Sequence, residues 1–263
     1  MADAESLRDT GVPALPATSA PQRGSPRVAA APDGSVMSLM DHLGELRTRL
    51  FRSIAAIVAG SVVGFYFATP IRNFLLQPLP KHTVQVLGIG DAFVIQLKIA
   101  MVVGVILAMP VLLYQVWAFV APGLTPAERK VVRPWIPMAL VFFAMGVAIA
   151  YVILPFAIQF LFSFTDDQLV AQPAAGPYFD FVTTLILAFG LVMEFPILLV
   201  GLSRVGIITS KRLTSSRRYV ILGISIFAAV VTPGGDLVSP FVLGTTMYVL
   251  YELTALFIRR SGR

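Results

Sequence analysis

Two glutamates lie in segments that otherwise carry basic side chains, and this pattern indicates a site for a cationic ligand. Glu45 belongs to the segment HLGELRTRL (residues 42–50), and Glu128 belongs to TPAERK (residues 125–130). Carboxylates are natural bidentate partners of guanidinium groups, so an anionic surface made by these two acids suits a ligand that bears arginine. Each acid also has a local alternative: an i,i+4 pair of Glu45 with Arg49, and a capping box of Glu128 with Thr125. The sequence leaves both interpretations open.

Glu194 is the most unusual ionisable residue, because it lies in a long apolar run, FGLVMEFPILL (residues 189–199), with no basic residue near it in sequence. An ionisable group within a membrane span is costly, so it is a functional-site candidate by default. Pro196 removes a backbone donor and favours a bend beside it. We expect Glu194 to face other protein or water; if it faces a groove, it would hydrogen-bond a polar residue of a partner helix or draw water inward. The alternative is a hydrogen bond that serves helix packing alone.

Two further acids have simpler interpretations. Asp236 lies in the turn TPGGDL (residues 232–237) and suits the N-cap of the last helix. Glu252 lies near the end of that helix, where it is expected to extend toward water or to pair with Arg259.

Several kinds of chemistry are excluded by what the sequence lacks. There is no Cys, and the only His residues are His42 and His82, which excludes disulfides and thiol catalysis and argues against a metal site. There is no glycine-rich phosphate loop with a lysine, no HExxH and no Gly-x-Ser-x-Gly sequence. We therefore expect neither an enzyme nor a cofactor.

Membrane helices must position these residues, because 57% of the 263 residues are hydrophobic and only 13% are charged. Soluble domains are about 45–50% apolar and about 25% charged. A run of about 20 apolar residues crosses the hydrocarbon core as a helix. The chain has six apolar runs, and all except the fifth have about this length or more: residues 51–69, 95–119, 135–162, 179–202, 219–231 and 237–258. The predicted fold is an all-α polytopic membrane protein with six transmembrane helices. Pro110, Pro155 and Pro196 are expected to bend three of them. The short fifth run either begins earlier, among residues 215–218, or lies where the bilayer is thinned.

Basic residues collect on one side of this predicted topology. Seventeen of the twenty Lys and Arg fall in the N-terminal segment, in residues 121–134, in residues 203–218 and at the C-terminus. Cytoplasmic segments carry such an excess, so both termini are predicted to be cytoplasmic. The same rule accounts for the net charge of +6 without nucleic acid as a partner.

Residues 1–36 differ in kind from the rest, since Ala, Pro, Ser and Gly dominate them. Such a segment buries too little apolar surface to offset its ordering entropy. The predicted organisation is a disordered cytoplasmic tail, residues 1–36, followed by a transmembrane domain, residues 37–263.

At the start of that domain an amphipathic helix is expected to lie along the membrane surface and to turn inward at about Phe51. Gly60 and Gly64 fit a GxxxG contact face.

Three motifs, in this order, resemble those of the TatC family, whose members are the large subunit of the twin-arginine protein translocase. They are HLGELRTRL (42–50), YQVWAFVAPGL (114–124) with ERK (128–130), and FGLVMEFP (189–196). The resemblance extends over about residues 37–258. It implies a receptor in a bacterial or archaeal cytoplasmic membrane that binds signal peptides with paired arginines and exports folded proteins by means of the protonmotive force. The implied partners are single-span proteins of the TatA and TatB type, membrane lipid and further copies of the chain.

The resemblance also assigns roles to residues on the cytoplasmic side. Glu45 and Glu128 match the two glutamates of the family that contact the arginine pair. Arg47 and Phe119 match neighbours in the same two motifs.

Within the membrane and on the external side, the resemblance covers three more residues. Glu194 matches the intramembrane glutamate of the family, near which partner helices pack. Pro70 matches a proline at the start of the first external loop. Asp236 falls in the last external turn, which is one residue longer here than the common Thr-Pro-Pro-Asp form.

Two other functions compete with this interpretation. A secondary transporter of an ion or small solute would use Glu194 as its coupling site, but it needs a pathway lined by polar residues from several spans. The spans offer few others, the best being Gln159, Thr183 and Thr184. A structural membrane scaffold is the third interpretation.

Overall fold

In a computed structural model, the protein is described for residues 39–79, 83–165, 172–204, 206, 208, 210–232 and 237–260. The described chain is helical, apart from one isolated bridge between two loops, so the predicted all-α class is confirmed for this part. The predicted tail, residues 1–36, and Asp236 and His82 lie outside the described residues. The long helices are α1 (Leu39–Leu76), α2 (Asp91–Val120), α4 (Trp135–Phe162), α5 (Ala175–Val192) and α9 (Val238–Arg260); the shorter ones are α3 (Pro126–Val132), α6 (Phe195–Arg204), α7 (Ser210–Ser215) and α8 (Arg217–Val231).

Helix α1 is a single continuous helix of 38 residues, so the prediction of a surface helix that turns inward at Phe51 is wrong. Between Gly44 and Gly60 the sequence contains no Gly or Pro that would break a helix. A turn at the membrane boundary would also leave backbone groups unsatisfied beside lipid, whereas a continuous helix satisfies them internally. At about 1.5 Å per residue, α1 is about 57 Å long, nearly twice the hydrocarbon thickness of about 30 Å.

Pro70 lies inside α1, so its predicted place at the start of the external loop is wrong. A proline removes one backbone hydrogen bond and kinks a helix, and packing of the following turn can offset that cost. Here Leu75 is buried in the core, and its carbonyl oxygen accepts a hydrogen bond of 2.5 Å from the Tyr178 hydroxyl. These contacts with α5 hold the last turn of α1 in helical form.

Small residues bring α1 and α2 into close contact where the two helices cross. A Cβ atom on Gly60 would lie 2.7 Å from the Gly104 carbonyl oxygen, and one on Gly64 would lie 2.6 Å from the Ala100 carbonyl oxygen. A Cβ atom on Gly104 would lie 2.7 Å from the Ser61 backbone nitrogen. The predicted GxxxG contact face is therefore observed, and its partner on α2 is Gly104.

We expect the substitution Gly104→Val to separate α1 from α2 and to destabilise the protein. Overpacking in a well-packed interior costs about 1–3 kcal/mol, and here the obstructing atoms include, besides the Ser61 hydroxyl, the Ser61 backbone nitrogen and the Ile57 carbonyl oxygen, which cannot rotate away. Thermal unfolding in mild detergent would measure the loss. The matched control is Gly223→Val, because a Cβ atom on Gly223 in α8 meets nothing within 4 Å. Equal unfolding temperatures for the two variants would contradict this interpretation of the crossing.

Helices α4 and α5 are also closely packed, at a level just before Glu194. A Cβ atom on Gly146 would lie 2.4 Å from the Phe189 carbonyl oxygen, and one on Gly190 would lie 2.7 Å from the Phe143 ring. At the other end of α5, the loops before α2 and before α5 are joined, since the Gln85 backbone nitrogen donates to the Pro173 carbonyl at 2.9 Å. Helix α5 is thus fixed at both ends.

Five helical segments of the described chain are long and apolar enough to cross a membrane: Met40–Leu76, Asp91–Gly123, Trp135–Phe162, Ala175–Ser203 and Val238–Arg260. The predicted count of six is not confirmed, because the predicted fifth span is α8, which has 15 residues. Such a helix is about 22 Å long, shorter than the hydrocarbon core of about 30 Å. Helix α8 packs against α9.

Candidate functional site

Glu45 is held by side chains from α1 and α2, which meet because the N-terminal end of α1 lies beside the C-terminal end of α2. Its Oε1 atom accepts hydrogen bonds from Arg49 Nε at 2.9 Å and from Arg49 Nη2. Arg49 Nη1 in turn donates to Gln115 Oε1 at 3.3 Å. The predicted local pair of Glu45 with Arg49 is therefore observed. The buried Gln115 extends it into a contact between the two helices.

The second carboxylate oxygen of Glu45, Oε2, is buried and accepts no hydrogen bond from the described residues. His42 Nδ1 lies 3.9 Å from this oxygen, which is too long for a hydrogen bond. The His42 ring stacks on Phe119, with ring centroids 4.3 Å apart. Glu45 and Phe119, which the family resemblance placed in one site, thus belong to one cluster with an unused acceptor.

Arg47 has a different environment, although it is only two residues from Glu45. Its side chain is exposed, and its guanidinium carbon lies 5.7 Å from the centroid of the Phe51 ring. A role for Arg47 in ligand binding stays a prediction.

Glu128 forms the predicted capping box at the start of α3. Its Oε2 atom accepts hydrogen bonds from the Thr125 backbone nitrogen at 2.9 Å and from Thr125 Oγ1 at 2.8 Å. The Glu128 backbone nitrogen donates to Thr125 Oγ1 at 3.4 Å. A 3-10 helix, Ala121–Gly123, links the end of α2 to this cap. The local interpretation is observed, and a role for Glu128 in binding stays a prediction.

A protein-family model described as Sec-independent protein translocase protein (TatC) matches residues 41–245, which include Glu45, Phe119, Glu128 and Glu194. This chain belongs to the TatC family. A TatC protein of Carboxydothermus hydrogenoformans is 36% identical over 221 residues, covering 83% of this chain and 91% of that protein. The TatCy protein of Bacillus subtilis is 34% identical over 231 residues, covering 86% and 91%.

A solved structure, the crystal structure of the twin-arginine translocase receptor TatC, has the same fold. It is 34% identical to this TatC chain with a TM-score of 0.75, and the match covers 84% of this chain and all of that one. The family assignment makes this protein a membrane component of the twin-arginine protein translocase rather than an enzyme, and it decides against the transporter interpretation.

Glu194 of this TatC protein lies at the break between α5 and α6, and it is buried rather than facing a groove, with only 7% of its surface exposed. The side chain therefore faces other protein, which was one of the two predicted environments, and the expectation of an exposed groove residue is corrected. Among the described residues, none donates a hydrogen bond to its Oε1 atom. Leu191 and Leu198, on either side of the break, are exposed.

An ion pair between Lys98 of α2 and Asp180 of α5 was missed by the sequence analysis. Both side chains are partly exposed, Lys98 at 39% and Asp180 at 51%. The pattern that could have revealed the pair is a basic and an acidic residue, each near the start of a span that begins on the same side.

Glu252 pairs with a residue other than the predicted Arg259. Its Oε2 atom accepts a hydrogen bond from Arg217 Nη2 at 2.7 Å, and its Oε1 atom accepts one from the Tyr248 hydroxyl at 3.2 Å. Since Arg217 begins α8 and Glu252 lies in α9, the pair joins two helices.

Proposed function

We propose that this protein is the receptor and core component of a twin-arginine translocase, which binds signal peptides with paired arginines and exports folded proteins by means of the protonmotive force. The observation that carries the proposal is the buried, unused oxygen of Glu45 next to His42, whose ring stacks on Phe119. It supplies an acceptor and an aromatic face in a chain of the TatC family.

The chemistry of this cluster favours arginine over lysine. A guanidinium group donates to a carboxylate in a fixed planar geometry and stacks on aromatic rings, whereas an ammonium group supplies only a point charge. We assign one signal arginine to Glu45 and Phe119 and the other to Glu128. Arg47 lies in the same motif as Glu45, and we assign it to the same surface.

The proposed topology has six spans with both termini in the cytoplasm of a bacterial or archaeal cell. Helix α8 is the fifth span, and its length of about 22 Å requires a locally thinned bilayer. Seventeen of the twenty Lys and Arg lie on the side of Glu45 in this topology, which supports the orientation. Pro70 and Asp236 then lie on the external side.

The proposed partners are single-span proteins of the TatA and TatB type, together with membrane lipid and further copies of this chain. We propose that a partner helix inserts at the break between α5 and α6 and thereby reaches the buried Glu194 side chain. Its unused carboxyl oxygen lies at a break between two helices that is flanked by the exposed side chains of Leu191 and Leu198. Polar groups that hydrogen-bond across helices stabilise association in membranes.

Export of a folded reporter with a twin-arginine signal tests the proposed function. In cells depleted of their own receptor and supplied with this chain, we expect the reporter to reach the external side. A twin-lysine version of the signal should not support export, and dissipating the protonmotive force should stop it. Failure of export, with this chain inserted in the membrane and the partner proteins present, would contradict the proposal.

A further inference from the structure

We propose that His42 occupies the position of a ligand guanidinium, which we call the arginine position, and that a signal arginine displaces it. The arginine position is the space between the Phe119 ring and Glu45 Oε2. This inference rests on the proposed function, because it concerns how the same cluster admits its ligand.

The contacts of His42 are those that a bound guanidinium would make. Its planar ring lies over Phe119 with an interplanar angle of 20° and a centroid distance of 4.3 Å. Guanidinium groups stack on aromatic faces in the same manner. His42 Nδ1 also points toward Glu45, but its distance of 3.9 Å from Oε2 leaves that oxygen without a hydrogen bond from the described residues.

An arginine would both stack on Phe119 and donate a hydrogen bond to Glu45 Oε2, whereas His42 only stacks. A buried acceptor without a hydrogen bond costs free energy, and a guanidinium carries five donors on a longer side chain than histidine. Arg49 binds only Oε1, so Oε2 remains for the ligand. Through Gln115, Arg49 also fixes the orientation of the carboxylate.

His42 can leave because 42% of its side chain is already exposed. While it stays, only the fraction of molecules with an open arginine position is competent to bind. The apparent affinity for the ligand is reduced by that fraction. This predicts that removing the imidazole tightens binding, whereas a structural role for His42 predicts that removal weakens it.

Binding of a fluorescent twin-arginine signal peptide to the purified full-length protein, reconstituted in lipid nanodiscs, tests the inference. Relative to the unmodified protein, we expect His42→Ala and His42→Ser to lower the Kd by about threefold to tenfold. We expect His42→Arg to raise the Kd at least about tenfold, because a tethered guanidinium then fills the arginine position. The gain from His42→Ala should be smaller for a twin-lysine peptide.

Met40→Arg is the matched control for charge. Met40 is exposed and lies on α1 about 200° around the helix from His42, so the added guanidinium points away from Phe119. We expect its Kd to stay close to that of the unmodified protein. An equal loss of affinity in Met40→Arg and His42→Arg would overturn the inference, because the effect would then be one of net charge.

The two proposals fail in different ways. If the unmodified protein does not bind the twin-arginine peptide at all, the proposed function is wrong. If it binds, and both His42→Ala and His42→Ser leave the Kd unchanged or raise it, the proposed function stands and the displacement of His42 is wrong. Thermal unfolding of each variant identifies any loss of affinity that comes from misfolding. If one of His42→Ala and His42→Ser is misfolded, the Kd of the other tests the displacement.

Discussion

Crosslinking of a twin-arginine signal peptide is expected to fall by about 100-fold when Glu45 and Glu128 are both replaced. Charge-assisted hydrogen bonds contribute about 1.5–3 kcal/mol each, and every 1.4 kcal/mol is about tenfold in affinity. A photoreactive residue placed beside the paired arginines would measure the loss in membranes that contain the full translocase.

The variant at each position decides how cleanly the loss can be interpreted. Glu128→Ala would also remove the capping box with Thr125, whereas Glu128→Gln keeps an oxygen for the cap and removes only the charge. Glu45→Gln with Glu128→Gln is therefore the informative pair. Glu252→Gln is the control, since it removes a comparable charge from α9. Undiminished crosslinking in the double variant would contradict the role of both acids.

Glu194→Leu is expected to abolish export without lowering the stability of the protein. A buried polar group without a partner costs about 1–3 kcal/mol, so an apolar side chain of similar size should leave the unfolding temperature equal or higher. An interhelical hydrogen bond in a membrane contributes about 1–2 kcal/mol, and its loss should reduce copurification of the single-span partners by about tenfold. Copurification from mild detergent and reporter export provide the two measurements.

Two further variants separate a partner contact from packing. Glu194→Gln keeps hydrogen-bonding capacity and should retain a substantial part of partner binding. Met193→Leu changes a neighbouring side chain that is equally buried, and it should leave both export and copurification intact. Normal export in Glu194→Leu would show that the carboxyl group has a structural role at most.

Local patterns predicted the parts of this protein that depend on neighbours in sequence. The pair of Glu45 with Arg49 spans four residues, and the cap of Glu128 on Thr125 spans three, so helical geometry alone brings their atoms together. The long apolar runs likewise indicated membrane helices, because a helix satisfies its own backbone in lipid.

The sequence analysis did not predict the specific side-chain contacts between distant segments. Gln115 meets Arg49 across 66 positions, and Lys98 meets Asp180 across 82. Glu252 was predicted to pair with Arg259, which is near it in sequence. It pairs instead with Arg217, because α8 packs against α9. These outcomes depend on which helices are adjacent, and apolar periodicity in a membrane protein carries little of that information, because lipid and protein interior are both apolar.

Helix boundaries were the least predictable feature. Pro70 was expected to end a span, but the bond from Tyr178 to the Leu75 carbonyl holds the helix beyond it. The break at Glu194 came close to its predicted place, because Pro196 marks it in the sequence.

Because α1 is unbroken, a rigid tilt of this helix would move its two ends, one of which carries Glu45, in opposite directions. The pivot of such a tilt would be the crossing of Gly60 with Gly104, where the two backbones approach each other closely. Glu45 lies 15 residues, or about 22 Å, from Gly60 along the axis, so a tilt of about 5° at the crossing moves the carboxylate by about 2 Å. The other end of α1 carries Leu75, which Tyr178 ties to α5. A rigid tilt of α1 that moves Glu45 would therefore also displace the contact with α5 at Leu75, on the other side of the crossing.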